Sequence, residues 1–253
     1  MNQTELIELL KSIPSEVLAK ITGRSLLSNT AILRHLEKGN IVIDPFNREN
    51  LKDNSYDVTL GQYFYREQPP TLGKRIFNPY SEKDVAAIWG KHCLAEPARF
   101  LIENCGLQEN INPDDLIVLI NPGETILAHT VEFIGGRNGI ITTMMKARSG
   151  VGRCFTEACK CAGWGDVGYF NRWTMEITNN SRHYAIPWMV GTRIAQLAFF
   201  EVEKVLDLAA GYASKGKYQT ESDISKLKAS WRPEAMLPRM YADREIKKRV
   251  SNK

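Results

Sequence analysis

LIVLINPGETILAHTVEFIGGRNGIITTMM, residues 116–145, holds three apolar runs at 116–120, 125–134 and 139–145, parted by Asn-Pro-Gly and by a Gly-Gly-Arg-Asn tetrapeptide. Runs this short, rich in β-branched residues and bounded by turn formers, read as strands. Proline fixes φ, glycine admits left-handed backbone and asparagine caps turns, so the breaks read as turns. The same texture continues on both sides, as IVID (41–44), SYDVTL (55–60), QYFY (62–65), WTMEIT (173–178) and RIAQLAFFEV (193–202). That density of short strands predicts a mainly β domain of the sandwich or barrel-like kind.

Helices are expected at the margins. Leu6, Leu9, Leu10 and Ile13 recur at helical spacing, which predicts a helical extension over residues 1–24. A second helix follows the capping candidates Ser28 and Asn29, with Ile32, Leu33 and Leu36 on one face and Gly39 as its stop. Residues 84–93 suggest a small helix within a longer insertion. Past residue 222 the chain turns polar and basic, and residues 223–253 read as a solvated or partly helical basic tail. The β domain itself is expected over 25–222.

The chain has 253 residues, 43% hydrophobic and 25% charged, enough for a full core and ordinary for a globular protein. A net charge of +4 is compatible with an anionic metabolite but gives no basic stripe for nucleic acid. Apolar runs fall well short of the roughly 20 residues of a membrane span. The first residues lack the basic start and apolar core of a signal peptide. Five cysteines without framework spacing read as reduced thiols, so the expected setting is cytoplasmic.

The chemistry concentrates in KARSGVGRCFTEACKCAGWGDVGYFNRWTMEI, residues 146–177. Arg148 and Arg153 supply guanidinium forks suited to phosphate oxygens. Glycines at 150, 152, 163, 165 and 168 allow sharp turns and close approach of backbone to a ligand. Thr174, Glu176 and Thr178 alternate with Trp173, Met175 and Ile177, so the carboxylate belongs to the polar face of a strand. Apolar neighbours there would raise its pKa, which suits proton transfer. Cys159 and Cys161, at period two, would share a strand face. With no histidine or second cysteine pair beside them, no zinc site is expected.

Four blocks in order resemble the dCTP deaminases and the trimeric dUTPases of the same fold. SLLSNTAILRHLEKGNIVIDPFNRENLKDNSYDVTLG (25–61) is similar to the opening helix, strand and S-x-D-x-x-L-G signature. PGETILAHTVEFI (122–134) resembles the central strand, and 148–177 the active-site block with its R-S-x-x-x-R, A-G-x-x-D-x-G and T-x-E elements. GTRIAQLAFF (191–200) and GKYQ (216–219) resemble the closing strand and the tail that covers the nucleotide. The resemblance implies a distorted β-sandwich, jelly-roll-like subunit of the dUTPase type in a homotrimer with shared active sites. It also implies a deoxynucleoside triphosphate carrying Mg2+, and no part for nucleic acid or membrane.

Roles follow from the same resemblance. Glu176 would be the general base and acid at cytosine C4, Arg148 a phosphate ligand, and Ser149 a group positioning phosphate or water. Arg153 would reach the reaction centre across the interface. Ala162 would offer its carbonyl, and Asp166 and Tyr169 would hold the deoxyribose. Gln196, Tyr212, Lys217 and Gln219 would complete the nucleotide contacts, with Tyr218 closing over it. Three positions depart from the pattern: Gly150 stands for a serine, Asn171 for a glycine, and Glu221 for a glutamine that reads the base. The leading expectation is deamination of dCTP to dUTP and ammonia. A bifunctional deaminase giving dUMP and diphosphate stands beside it. A nucleotide-binding regulatory module is kept open by the three departures, and a dUTPase alone is disfavoured by Glu176.

Overall fold

The computed structural model describes residues 25–71, 73, 76–107, 109–205, 216–219 and 221–251. The helix expected within 1–24 lies outside them, as does Tyr212. The fold is mainly β. Its opening helix α1 (Asn29–Glu37) starts where Ser28 Oγ accepts the N–H of Ala31 at 3.4 Å, buries Ile32, and stops before Gly39 at φ +69°.

A curled antiparallel sheet of nine strands forms the body, in the order β8 (Thr156–Glu157), β10 (Phe170–Asn179), β6 (Thr125–Gly136), β2 (Tyr56–Arg66), β12 (Arg193–Glu201), β7 (Ile141–Ala147) and β9 (Trp164–Gly165). β1 (Ile41–Asp44) joins on β6 and β3 (Cys93–Leu94) on β2. A second, three-stranded sheet holds β11 (Ile186–Met189), β5 (Leu116–Ile120) and β4 (Glu96–Pro97). The runs at 55–60 and 62–65, expected as two strands, are one long strand, because Gly61 acts as a hinge within the ladder rather than as a break. Through Thr59 β2 pairs with β12, and from Leu60 onward with β6, with a register shift between Leu60 and Phe64 that spans Gly61. A β-carbon on Gly61 would lie 2.0 Å from His129 Cε1, so only glycine lets the strand bend against that ring. Curling follows from this bend, and it gathers Val58, Leu60, Ile126, Ala128, Met175, Ile177 and Leu197 into one core.

The insertion supplies helix α2 (Glu82–Trp89), begun by Ser81 Oγ accepting from the N–H of Asp84, and helix α3 (Arg99–Cys105). Two further regions differ from the sequence reading. Cys159 and Cys161 share no strand face: Cys159 and Lys160 take φ of +58° and +40°, which breaks any strand, leaving Cys159 buried and Cys161 exposed. The segment after Ser222 is partly helical, as α5 (Ile224–Ser230) and α6 (Arg244–Ser251), but it is not a solvated tail. Leu227 is buried against Val42, Phe133 and Phe170, and Met236 against Tyr65 and Leu127. Arg172 lies over the Trp231 ring at 4.7 Å, and His129 packs on the same ring at 4.8 Å. Among the described residues no helix is long and apolar enough to cross a membrane.

Candidate active site

β10 carries Glu176 opposite Leu127 of β6, and the alternation along it holds. Trp173, Met175 and Ile177 are buried in the core, while Thr174 and Glu176 face a cleft of about 480 Å³. The cleft's rim is the loop that brings Ala162, Trp164, Asp166 and Tyr169, and its far wall comes from Trp89, Tyr218, Met236 and Pro238. β9 fixes that loop: Gly163 accepts the Met145 N–H at 2.6 Å, and Thr142 Oγ1 donates to Gly165 O at 2.7 Å. A turn then closes by Tyr169 N–H donating to Asp166 O at 3.0 Å, and the Tyr169 ring sits edge-on to Trp173.

The electrostatics single out Glu176. Burial raises its pKa above the usual carboxylate range, opposed by a backbone hydrogen bond and by the charge of Lys160. Its Oε2 is shielded from water and has no hydrogen-bond partner. Cys159 lies close enough for the Glu176 charge to add to the burial that pushes its thiol up to about 12, so that thiol stays protonated. A carboxyl group whose pKa is raised by burial, on a residue that lines a cleft, is suited to taking and returning a proton.

The expected anion-binding residues lie elsewhere on the same chain. Arg148 opens a second cleft of about 600 Å³, lined also by Gly150, Cys154, Trp188 and Arg193. The buried Asp57 carboxylate organises it, 3.1 Å from Arg193 Nη1 and 3.5 Å from Arg148 Nε. Arg148 Nη1 also donates to Arg193 O at 3.2 Å. Ser149 and Arg153 sit on the short helix α4 (Ser149–Arg153), both exposed, and neither lines the Glu176 cleft. Gln196, on β12 between Asp57 and Lys146, lines neither cleft. Glu176 therefore lines one cleft, and Arg148 with Arg193 another.

The tail after Gly216 is anchored from several sides. Both ends of the Gln219 amide are engaged, Nε2 donating to Gly168 O at 3.1 Å and Oε1 accepting from Phe170 N–H at 2.7 Å. Asn171, the departure from glycine, donates through Nδ2 to Tyr218 O at 2.9 Å. Tyr218 OH accepts from Arg239 N–H at 3.1 Å, and Lys217 pairs with Asp243. Sequence reasoning missed Arg193, Trp89 and Met236 as parts of the two clefts, and Asp57 as the carboxylate that pairs with Arg148 and Arg193. Asp57 stood inside a quoted signature and Arg193 inside a strand run, whereas nothing local marks Trp89 or Met236.

The chain matches the model of the dCTP deaminase-like family over residues 26–202. It belongs to that family. Similar proteins include the "dCTP deaminase, dUMP-forming" of Methanobrevibacter smithii, 27% identical over 227 residues, spanning 88% of this chain and all of that one. The protein of the same name from Clostridium botulinum (strain Eklund 17B) is 28% identical over 199 residues, covering 79% of this chain and 93% of its own. That of Methanospirillum hungatei is 27% identical over 181 residues, with 72% and 84% covered. Among solved structures, 2'-deoxycytidine 5'-triphosphate deaminase from Agrobacterium tumefaciens aligns with a TM-score of 0.48 at 15% identity, over 74% of this chain and 50% of that one.

Proposed function

We propose that the protein deaminates dCTP and that Glu176 carries the proton traffic. The observation behind the reading is the Glu176 carboxyl group itself: raised in pKa by burial, unpartnered at Oε2, and on the cleft wall shared with Ala162, Asp166 and Tyr169. In this reading Glu176 takes a proton from water as the oxygen adds to cytosine C4, and gives it to N3. A second proton passes from the C4 hydroxyl to N4, the C4–N4 bond breaks, and ammonia leaves with the uracil carbonyl formed. Apolar side chains of Trp89, Leu127 and Met236 line the cleft and would limit competing water. Asp166 and Tyr169 hold the deoxyribose at the rim. Mg2+ arrives on the triphosphate and screens its charge.

The arginine half completes the reading. Arg148 and Arg193, set by Asp57, form a cationic cleft for phosphate oxygens. Because α4 lies apart from the Glu176 cleft, we assign Arg153 to the site of a neighbouring copy in a homotrimer. The names of the relatives favour dUMP and diphosphate as final products, by hydrolysis of the α–β phosphoanhydride after deamination, over release of dUTP. Incubation with dCTP and Mg2+, followed by chromatography of the nucleotides and an ammonia assay, tests the proposal. Equimolar ammonia and dUMP is the expected result. Ammonia with dUTP would restrict the activity to deamination, and absence of ammonia would overturn the proposal.

A further inference from the structure

Arg172 is a cation of the Glu176 cleft that the reading above does not use. On β10, Arg172, Thr174 and Glu176 are part-exposed and alternate with the buried Trp173 and Met175, and all three line the cleft. Among the described residues of that lining, Arg172 is the single positively charged side chain. Arg148 and Arg193, assigned to phosphate above, line the other cleft.

The Arg172 guanidinium is held in place but not satisfied. Its Cζ lies 5.0 Å from the centre of the Phe133 ring and 4.7 Å from that of Trp231, and Nε donates to Val131 O at 3.2 Å. A guanidinium carries five N–H donors, and those on the two Nη atoms meet no acceptor among the described residues. Glu132, whose charge reaches Arg172, spends its two oxygens on the N–H and Oγ1 of Thr59, each at 2.9 Å. Neither Nη is among the side-chain atoms shut off from water without a partner, so both keep contact with solvent and a ligand can reach them. Burial lowers the Arg172 pKa, yet an arginine stays charged at neutral pH. The cations nearby are committed: Lys217 to Asp243, Arg239 Nη1 to Lys217 O, and Arg232 Nη1 to Ala229 O and Trp231 O.

Position along the strand says which part of a ligand this fork meets. Successive strand residues rise about 3.3 Å, so Arg172 stands roughly 13 Å before Glu176 on β10. The rim residues Asp166 and Tyr169 lead into the same end of the strand. A nucleotide with C4 at Glu176 and its deoxyribose at that rim sends its 5′ chain toward the start of β10, where Arg172 is. We infer that Arg172 binds a phosphate group of the nucleotide seated in the Glu176 cleft of its own chain. Paired N–H groups of a guanidinium match two phosphate oxygens, and the two ring contacts set the fork before the ligand arrives. The triphosphate is then gripped from two chains, by Arg172 beside Glu176 and by Arg148 with Arg193 of a neighbouring copy. The inference rests on the dCTP reading of the cleft.

The test titrates dCTP with Mg2+ into the full-length protein and its Arg172→Gln and Arg172→Lys forms by calorimetry, with urea midpoints measured alongside. Arg172→Gln is expected to bind dCTP about tenfold or more weakly. Arg172→Lys, which keeps a charge over the rings but loses the fork, should fall between it and wild type with an unchanged midpoint. Wild-type affinity in Arg172→Gln overturns the inference, as do losses in both forms that only follow lowered midpoints, which would make Arg172 a packing residue. A crystal structure of Glu176→Gln with dCTP and Mg2+ leaves Arg172 intact and decides the matter if the Arg172 variants fold poorly. A phosphate oxygen within about 3 Å of an Arg172 Nη is expected there. Cytosine against residue 176 with the phosphates out of reach of Arg172 sinks this inference alone. Failure of the wild type to bind dCTP removes the functional reading, and this inference with it.

Discussion

Glu176 shows how far a single residue could be read. Its strand, its polar face and its raised pKa follow from alternation with Trp173, Met175 and Ile177, which the sequence displays directly. Its partners Trp89 and Met236 in the cleft do not, because they arrive from segments far away in the chain. Replacing Glu176 by glutamine keeps size and polarity but removes the proton acceptor. Ammonia release should fall by about 10²–10⁴ while dCTP binding stays near wild type; a variant retaining more than a tenth of the activity would take Glu176 out of this role. The raised pKa also sets signs. Activity that needs the ionised base should be lost as pH falls through a value above the ordinary glutamate pKa of about 4.3. Stability works the opposite way: the folded chain holds this proton more tightly than the unfolded chain, so the contribution is present below the unfolded pKa and is lost as pH rises through the folded one. Glu176→Gln should therefore gain stability over wild type in urea titrations at pH 7, with the gain shrinking towards pH 4.

At the scale of elements, short strands were legible because period-two burial and turn residues are local signals. IVID and LIVLI appear as β1 and β5 with the boundaries read from the sequence. β2 was not legible as one strand, since a glycine inside a run looks the same whether it ends a strand or bends it. His129 decides the matter. Its ring packs over Gly61, Nδ1 engages Thr130 O at 2.8 Å, and Nε2 accepts from the Tyr63 N–H at 3.3 Å. Burial lowers its pKa to about 4, so at neutral pH it is an uncharged packing ring. Gly61→Ala would drive a methyl group into that ring and should cost about 1–3 kcal/mol or more, read as a lower denaturant midpoint at unchanged slope. A midpoint equal to wild type would mean that the bend does not depend on this contact.

Across the whole molecule, the C-terminal segment was the least legible feature, whereas the division of the expected site residues between two clefts matches the sharing across an interface that the resemblance implied. The apolar residues Leu227, Trp231 and Met236 are scattered among lysines and arginines, and only the tertiary fold shows that they land on β1, β6 and β10. Cutting the chain after Ser222 removes two buried side chains, Leu227 and Met236, each worth roughly 1.5–3 kcal/mol of burial. It also releases Tyr218 and Lys217 from Arg239 and Asp243. The truncated chain should be less stable by about 3–6 kcal/mol and should bind dCTP more weakly, checked by urea denaturation and calorimetry; a stable truncation with intact binding would make the segment dispensable. The wider claim is that the acid/base half of one copy works with the arginine half of another. Arg153→Ala and Glu176→Gln should each be inactive alone. In a closed threefold ring every interface is heterologous, so random mixing places an intact Arg153 beside an intact Glu176 at roughly a quarter of the sites. Co-refolding the two variants and measuring deamination of dCTP tests this most directly. The account predicts recovery to as much as roughly a quarter of wild-type activity, and mixed oligomers confirmed by mass but still inactive would contradict it.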